Sequence, residues 1–224
     1  MFNAYGDNNH STALFEAGAV GFNFGQVIRF KSGILSPGAY LNNRVLQSRP
    51  KEWDILLGRM IDLLDQMEGT YDVVASVATG AIIHGGALVR MLDDVPHMTV
   101  KKEEKANHGL KGLIDGDSSV LPGAKVVLVE DMSSTFESAL KAIEILEMND
   151  AEVVHTLAIS TWGFPIFHNN IADRDVSVLC QGEELVRHAV DTGAINAGYA
   201  DLLSNWLDKP EDEGWINADW TMPE

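Results

Sequence analysis

The sequence lacks the features that mark several large classes of protein. Its 224 residues include one cysteine, Cys180, so an internal disulfide is excluded, as is usual in a reducing compartment. No apolar run approaches the roughly 18 residues of a membrane span, and the first residues have neither the basic nor the apolar region of a signal peptide. We therefore expect a soluble cytoplasmic protein with no membrane partner.

Basic residues are also scarce. Sixteen Lys and Arg stand against 33 Asp and Glu, which gives a formal net charge of -17 and a pI near 4.6. A protein that binds nucleic acid needs a basic face to displace counterions, so no nucleic-acid partner is expected. An anionic substrate would have to be held by a local cluster of cations. With 46% hydrophobic residues, the chain can bury one good core, and a single domain over 1–224 is the simplest expectation.

Apolar, β-branched runs alternate with helical patterns through the middle of the chain. The runs Tyr71–Ala78, Lys125–Asp131 and Glu152–Ser160 are separated by helical periodicity at Ile82–Leu92 and Ser138–Met148. Strands buried on both faces and joined by helices are typical of a parallel sheet. The pattern predicts an α/β protein with a central, mainly parallel sheet flanked by helices.

Other segments give shorter signals. A strongly amphipathic pattern predicts a helix over Trp53–Met67, with Gly69 as its C-terminal cap, and Gln26–Phe30 is a strand candidate. Val176–Cys180 predicts a further strand, and helical patterns follow it. The residues after Lys209 are acidic and contain two tryptophans, so they are expected either to pack as an irregular arm or to be disordered.

The most specific segment is VVLVEDMSSTFES, residues 126–138, in which a buried strand ends in two acids followed by small hydroxyl residues and a helix. Ligands of doubly wound sheets bind beyond the carboxyl ends of the strands, and a helix N-terminus offers free N–H groups to an anion. Glu130 and Asp131 would face a sugar. The hydroxyl residues would hold a phosphate: Ser133, Ser134, Thr135 and Ser138. The alternative is an ordinary helix cap with no ligand.

This segment resembles the phosphoribosyl pyrophosphate motif of type I phosphoribosyltransferases. A second block, VKKEEKANHGLKG (residues 100–112), resembles the catalytic loop of orotate phosphoribosyltransferases. The resemblance implies that Lys101 and Lys102 bind pyrophosphate oxygens, that Lys105 is the catalytic loop lysine and that His108 acts beside it. Composition alone would favour a solvated surface loop.

Two further blocks follow the same family order. FKSGILSPGAYLNNR (residues 30–44) resembles the N-terminal segment that covers the base, which implies that Lys31 binds the pyrimidine or its carboxylate and that Tyr40 shapes the base pocket. SVATGAIIHGGAL (residues 76–88) resembles the turn that binds pyrophosphate, here through Thr79 and Gly80. Four blocks in order make coincidence improbable.

The resemblance implies the type I phosphoribosyltransferase fold and transfer of phosphoribosyl from its pyrophosphate to a base, with orotate favoured. Residues 1–50 would form a hood over the base, 70–182 the core sheet, and 183–224 the C-terminal helices and tail. Lys105, His108 and Asp131 would be catalytic. The cofactor would be Mg²⁺, held mainly by substrate oxygens without a dedicated protein site. A homodimer is implied, in which the loop 101–116 reaches the neighbouring active site.

The sequence departs from the family pattern at several positions. Phe136 and Glu137 stand where the phosphate loop usually has small residues, and a carboxylate near a phosphate is repulsive. The segment around Trp162 has no arginine, although the family places a base-contacting arginine there. The loop carries an extra Ala106, and Asn107 replaces the usual acid.

These departures leave two rival hypotheses open. The first is a phosphoribosyltransferase for another base, on which Trp162 would stack. The second is a catalytically silent protein that binds phosphoribosyl pyrophosphate or a nucleotide. Phe136 and Glu137 favour the silent protein, whereas the lysines of the loop disfavour it, because a sensor does not need to stabilise a leaving group.

Overall fold

The fold is built on one central sheet with helices on both faces. A computed structural model describes residues 1–5, 7–101 and 112–217. In these ranges seven strands form the sheet: β1 Phe2–Ala4, β6 Val73–Val77, β7 His97–Val100, β8 Ile114–Asp115, β9 Lys125–Met132, β10 Glu152–Thr161 and β11 Val176–Gln181. Their order across the sheet is β1-β11-β10-β9-β6-β7-β8. All neighbouring strands are parallel except β7 and β8.

Seven α-helices lie in the described ranges. They are α1 Asn8–Glu16, α2 Pro50–Asp65, α3 Ile82–Met91, α4 Glu137–Glu147, α5 Pro165–Ile171, α6 Gly182–Asp191 and α7 Ala197–Asp208. Alternate residues of the central strands point to opposite faces of the sheet, and each face carries its own apolar core. Helices α4 and α5 cover one face, and helices α1, α2, α3 and α6 cover the other. Burial on both faces explains why these strands read as continuous apolar runs.

A hood stands over one end of the sheet. Two short antiparallel pairs form it: β2 Val20–Phe22 with β5 Ala39–Leu41, and β3 Ile28–Arg29 with β4 Leu35–Ser36. A 3₁₀ helix over Asn43–Ser48 leads from the hood into α2. The hood packs against α6 and α7 in a third apolar cluster that contains Trp162 and Trp206.

The predicted α/β class and mainly parallel sheet are confirmed. The boundaries differ at some ends. Helix α2 begins at Pro50, a residue suited to the first helical turn, and ends at Asp65, two residues before the predicted end. The strand predicted over Gln26–Phe30 contains two paired residues, Ile28–Arg29. Strand β1 comes from the segment predicted to form the hood, yet it pairs with β11 at the edge of the main sheet.

No helix in the described ranges 1–5, 7–101 and 112–217 is long and apolar enough to cross a membrane.

Candidate active site

A cavity of about 430 Å³ lies at the carboxyl ends of β6 and β9, between the sheet and the hood. Topology dictates the place, because parallel strands deliver the turns that follow them to one edge of the sheet. The hood lines the cavity with Phe30, Lys31, Ser32, Leu41, Asn42 and Arg44, the turn after β6 with Ala78, Thr79 and Gly80, and the end of β9 and its turn with Glu130, Asp131, Met132, Ser134, Thr135, Glu137 and Ser138. A larger groove of about 980 Å³ between α1 and α2 contains none of the predicted site residues.

The acid pair at the end of β9 forms the floor of the cavity. Glu130 is buried, with 3% of its surface exposed, and the Asp131 side chain is 15% exposed. The Asp131 carboxylate lies directly against Gly80, so a Cβ added to Gly80 would overlap all three carboxylate atoms. Arg44 from the hood brings its Nε to 3.9 Å from Asp131 Oδ2. The floor is therefore a pair of carboxylates, of which Asp131 fits tightly against Gly80 of the neighbouring turn.

The turn after β9 is held closed from within. Ser133 is buried, and its Oγ accepts a hydrogen bond of 3.1 Å from the backbone N–H of Phe136. Phe136 has a positive φ of 66°, which is uncommon for a bulky residue, and its ring is buried 5.7 Å from that of Phe167 in an edge-to-face contact. Packing in the core thus holds a backbone conformation that other turns obtain from glycine. Glu137 then begins α4.

The turn after β6 places Thr79 and Gly80 on the cavity wall, immediately before α3. The peptide bond between Ala78 and Thr79 is cis. Both turns thus present backbone and small side chains to the cavity at the start of a helix. Helix N-termini carry unsatisfied N–H groups and a positive partial charge, so each turn is suited to an anion.

A buried histidine lies behind the turn after β6. His84, on the first turn of α3, is fully buried, and its Nδ1 accepts a hydrogen bond of 2.9 Å from Trp53 Nε1. Burial lowers the pKa of His84 to about 4, and the negative charge of Asp131 opposes this shift. The imidazole is therefore neutral at pH 7.

Eight of the predicted site residues line the cavity. They are Lys31, Thr79, Gly80, Glu130, Asp131, Ser134, Thr135 and Ser138. Ser133 instead stabilises the turn from behind, as described above. Lys101 also lies apart from the cavity lining, since its Nζ forms an ion pair of 2.6 Å with Asp115 at the β7–β8 edge of the sheet. Lys102, Lys105 and His108 lie outside the described residues.

Tyr40 is not where the base-pocket prediction requires it. Side chains alternate along a strand, so Leu41 of β5 lines the cavity while Tyr40 points to the opposite face. Its ring covers Gly21 of β2, where a Cβ would collide with the ring atoms. The role of Tyr40 is thus to pack the hood, and the structure replaces it with Leu41 and Phe30 as apolar cavity residues.

Trp162 does not reach the cavity lining either. It is 1% exposed, and its ring lies 5.2 Å from that of Trp206 in an edge-to-face contact within the third apolar cluster. It is therefore in no position to stack on a base, which removes the observation that supported an enzyme for another base. Arg44 is the basic cavity residue that sequence reasoning missed, although it ends the segment that resembles the base cover.

Comparisons with known proteins identify the family to which this fold belongs. The profile of the phosphoribosyl transferase domain matches residues 46–162, which include both turns and the acid pair. An orotate phosphoribosyltransferase of Porphyromonas gingivalis is 32% identical over 206 residues, which cover 91% of this chain and 96% of that protein. The chain belongs to the phosphoribosyltransferase family, on its orotate phosphoribosyltransferase branch.

Solved structures agree on the fold. The orotate phosphoribosyltransferase of Aeropyrum pernix superposes with a TM-score of 0.68 at 22% identity, over 83% of this chain and 99% of that one. A UMP synthase of Leishmania donovani gives a TM-score of 0.73 at 22% identity, over 89% of this chain and 42% of that one. The type I phosphoribosyltransferase fold predicted from the four sequence blocks is thereby confirmed.

Proposed function

We propose that this protein is an orotate phosphoribosyltransferase, which transfers phosphoribosyl from 5-phosphoribosyl 1-pyrophosphate to orotate and releases orotidine 5-monophosphate and pyrophosphate. The observation that carries the proposal is the cavity itself. One space of about 430 Å³ brings together a carboxylate pair for a ribose, two helix N-termini for anions and a lysine from the hood. Relatives that align with 80 to 91% of the chain bear the same activity in their names.

Each group of cavity residues has a task in this reaction. Glu130 and Asp131 bind the ribose hydroxyls, and the turn that contains Ser134 and Thr135 binds the 5-phosphate at the start of α4. Thr79 and Gly80 bind pyrophosphate at the start of α3. Because the ribose centre gains positive character as pyrophosphate leaves, the carboxylates of the floor stabilise that charge while they orient the sugar.

Lys31 supplies a positive charge at the hood side of the cavity, where the base enters. Lys101, Lys102, Lys105 and His108 are proposed, from the resemblance alone, to meet the departing pyrophosphate. Lys105 would stabilise its negative charge, and His108 would donate a hydrogen bond or a proton.

Mg²⁺ is the proposed cofactor. Among the described residues no group of three or more His, Cys, Asp and Glu side chains is placed to hold a metal ion, but Glu130 and Asp131 offer the oxygen donors that Mg²⁺ prefers. These two residues fit an ion whose other ligands are oxygens of the substrate. When bound, the ion would neutralise charge on the leaving diphosphate.

We further propose that the protein is a cytoplasmic homodimer in which the loop 101–116 of one subunit completes the site of the other. The resemblance to orotate phosphoribosyltransferases supports this arrangement. Mixing an Asp131→Asn protein with a Lys105→Ala protein would test it, because each hybrid dimer holds one site with both residues intact. Recovery of activity on mixing is expected, and no recovery from a dimer that exchanges subunits would contradict the shared site.

Turnover of a panel of bases tests the main proposal. Purified protein with Mg²⁺ and phosphoribosyl pyrophosphate should consume orotate, followed by its absorbance, and should release one pyrophosphate for each orotate. Turnover of another base together with no turnover of orotate would reject the orotate assignment. Saturable binding of phosphoribosyl pyrophosphate with no turnover of any base would favour the silent binding protein, the second hypothesis that Glu137 on the cavity wall supports.

A further inference from the structure

Binding of orotate requires a positive charge in the cavity, and the arginine that the family usually supplies is absent from the segment around Trp162. Orotate is an anion, and the cavity wall carries three carboxylates: Glu130, Asp131 and Glu137. Among the described residues that line the cavity, the basic ones are Lys31 and Arg44, both contributed by the hood. The segment around Trp162, where a base-contacting arginine is expected, is buried away from the cavity.

Arg44 is held at the cavity by the residue that precedes it. Asn43 is 1% exposed, and its Nδ2 donates to the backbone oxygen of Asp131 at 2.6 Å and to Ser160 Oγ at 2.7 Å. These two bonds fasten the hood to the ends of β9 and β10. Two residues beyond Arg44, Leu46 is fully buried and holds the same 3₁₀ helix on the other side of Arg44. The backbone of Arg44 is therefore fixed on both sides, while its side chain, 59% exposed, can turn.

We propose that Arg44 is the specificity-determining residue that binds the carboxylate of orotate, in place of the arginine missing beside Trp162. The inference rests on the proposed function and adds a recognition residue to it. A guanidinium presents a planar fork of N–H donors that matches both oxygens of a carboxylate, a geometry that the single ammonium of Lys31 does not reproduce.

The contact that Arg44 makes with Asp131 agrees with this role. Its Nε lies 3.9 Å from Asp131 Oδ2, a long ion pair in which the Arg44 side chain is 59% exposed and the Asp131 side chain 15%. Because the pair is long and its arginine is in contact with solvent, the guanidinium can leave Asp131 for a substrate carboxylate at small cost. In this proposal Arg44, which lines the cavity beside Asp131, distinguishes orotate from a pyrimidine that lacks the carboxylate.

The experiment compares Arg44→Gln with Arg49→Gln, a control that removes the same charge from an exposed residue of the same segment outside the cavity lining. Binding of orotidine 5-monophosphate and of uridine 5-monophosphate is measured by calorimetry, since the two nucleotides differ only in the carboxylate. The unaltered protein should prefer orotidine 5-monophosphate. Arg44→Gln should lower that preference about tenfold or more, which corresponds to the loss of a charge-assisted hydrogen bond, and Arg49→Gln should leave it unchanged.

Steady-state kinetics supply the second readout. Arg44→Gln should raise the KM for orotate by about tenfold and change the KM for phosphoribosyl pyrophosphate much less, while Arg44→Lys should fall between the two proteins. An unchanged nucleotide preference in a folded Arg44→Gln protein would overturn the inference. An equal rise of both KM values would also overturn it, because Arg44 would then act only through Asp131. A protein that prefers orotidine 5-monophosphate through Arg44 but turns over no orotate would retain the inference and reject the enzyme.

Discussion

The two turns that line the cavity are shaped in opposite ways. The turn after β6 uses Gly80, and the space that a side chain would fill is occupied by the Asp131 carboxylate. The turn after β9 uses Phe136 at a positive φ, with its ring anchored against Phe167. One turn depends on the absence of a side chain and the other on the burial of a large one. The difference shows that a turn can be shaped either by the absence of a side chain or by core packing, and that mutations will damage the two turns in different ways.

The largest expected effect is on stability, at the turn after β9, the packed turn, in which the Phe136 ring is buried in the core. Phe136→Ala should lower the free energy of unfolding by about 3–5 kcal/mol, because it empties a buried aromatic site. Phe136→Gly should cost about 1 kcal/mol less than Phe136→Ala, since glycine tolerates the positive φ that alanine does not. Urea denaturation of the three proteins measures both differences. If the alanine variant were the more stable of the two, backbone strain would not matter at this turn.

At the turn after β6, the glycine turn, the expected loss is in activity. Gly80→Ala should reduce kcat/KM by about a hundredfold or more, because the added methyl displaces the Asp131 carboxylate, which we propose binds the ribose. Gly86→Ala in α3, the helix that follows this turn, is the control, since a Cβ there meets no atom within 4 Å. The control should keep its activity and gain slightly in stability. Equal activity of the two variants would show that the fit between Gly80 and Asp131 is not required.

The turns should also differ in their response to acid, because His84 backs only the glycine turn. Its folded pKa of about 4 lies below the ordinary value of 6.5, so the unfolded chain takes up the proton first. The contribution of His84 to stability should be complete above pH 6.5 and should fall, by up to about 1.4 kcal/mol per pH unit, as the pH drops towards 4.

Unfolding free energies of the unaltered protein and of His84→Gln, compared between pH 7 and pH 4, measure this difference. The gap between the two proteins should narrow or reverse in acid. The exposed His168 provides a control, and His168→Gln should not alter the pH dependence to the same extent. A constant gap between the His84 proteins across the range would mean that burial does not hold the imidazole neutral.

The smallest expected effect concerns Glu137, the acid at the start of the packed turn's helix. Glu137→Gln should lower the KM for phosphoribosyl pyrophosphate by roughly fivefold, since it removes a negative charge from the cavity wall where we propose that the phosphate binds. The same change should cost about 0.5 kcal/mol of stability, because an acid suits a helix N-terminus. The exposed Glu144→Gln, later in α4, is the control and should leave the KM unchanged. A higher KM in Glu137→Gln would reverse the assigned role.

Much of this architecture could be predicted from local patterns. Strand β9 has the bounds Lys125–Met132 against a predicted Lys125–Asp131, because a run buried on both faces is apolar throughout. Short elements gave no comparable signal. Strand β1 has three residues, and its place beside β11 depends on a partner more than 170 positions away. Tertiary pairing, which no sequence window contains, decides such strands.

The site could be predicted where chemistry and chain order coincide, as in Glu130, Asp131 and the turn that follows. Tyr40 could not, because a strand of three residues does not reveal which face meets the cavity. Arg44 was missed for a related reason. Its position is fixed by Asn43, whose hydrogen bonds reach across 88 and 117 positions to Asp131 and Ser160.

The attachment of the hood to helix α7 has a consequence for the order in which the protein is made. Trp206 Nε1 donates to the backbone oxygen of Leu35 at 2.7 Å, across 171 positions, and the hydroxyl of Tyr199 donates to that of Pro37. The hood therefore leaves the ribosome before the helix that supports it. A nascent chain can assemble the sheet with its acid pair before α7 has been made, so the hood reaches its final packing only after the sheet.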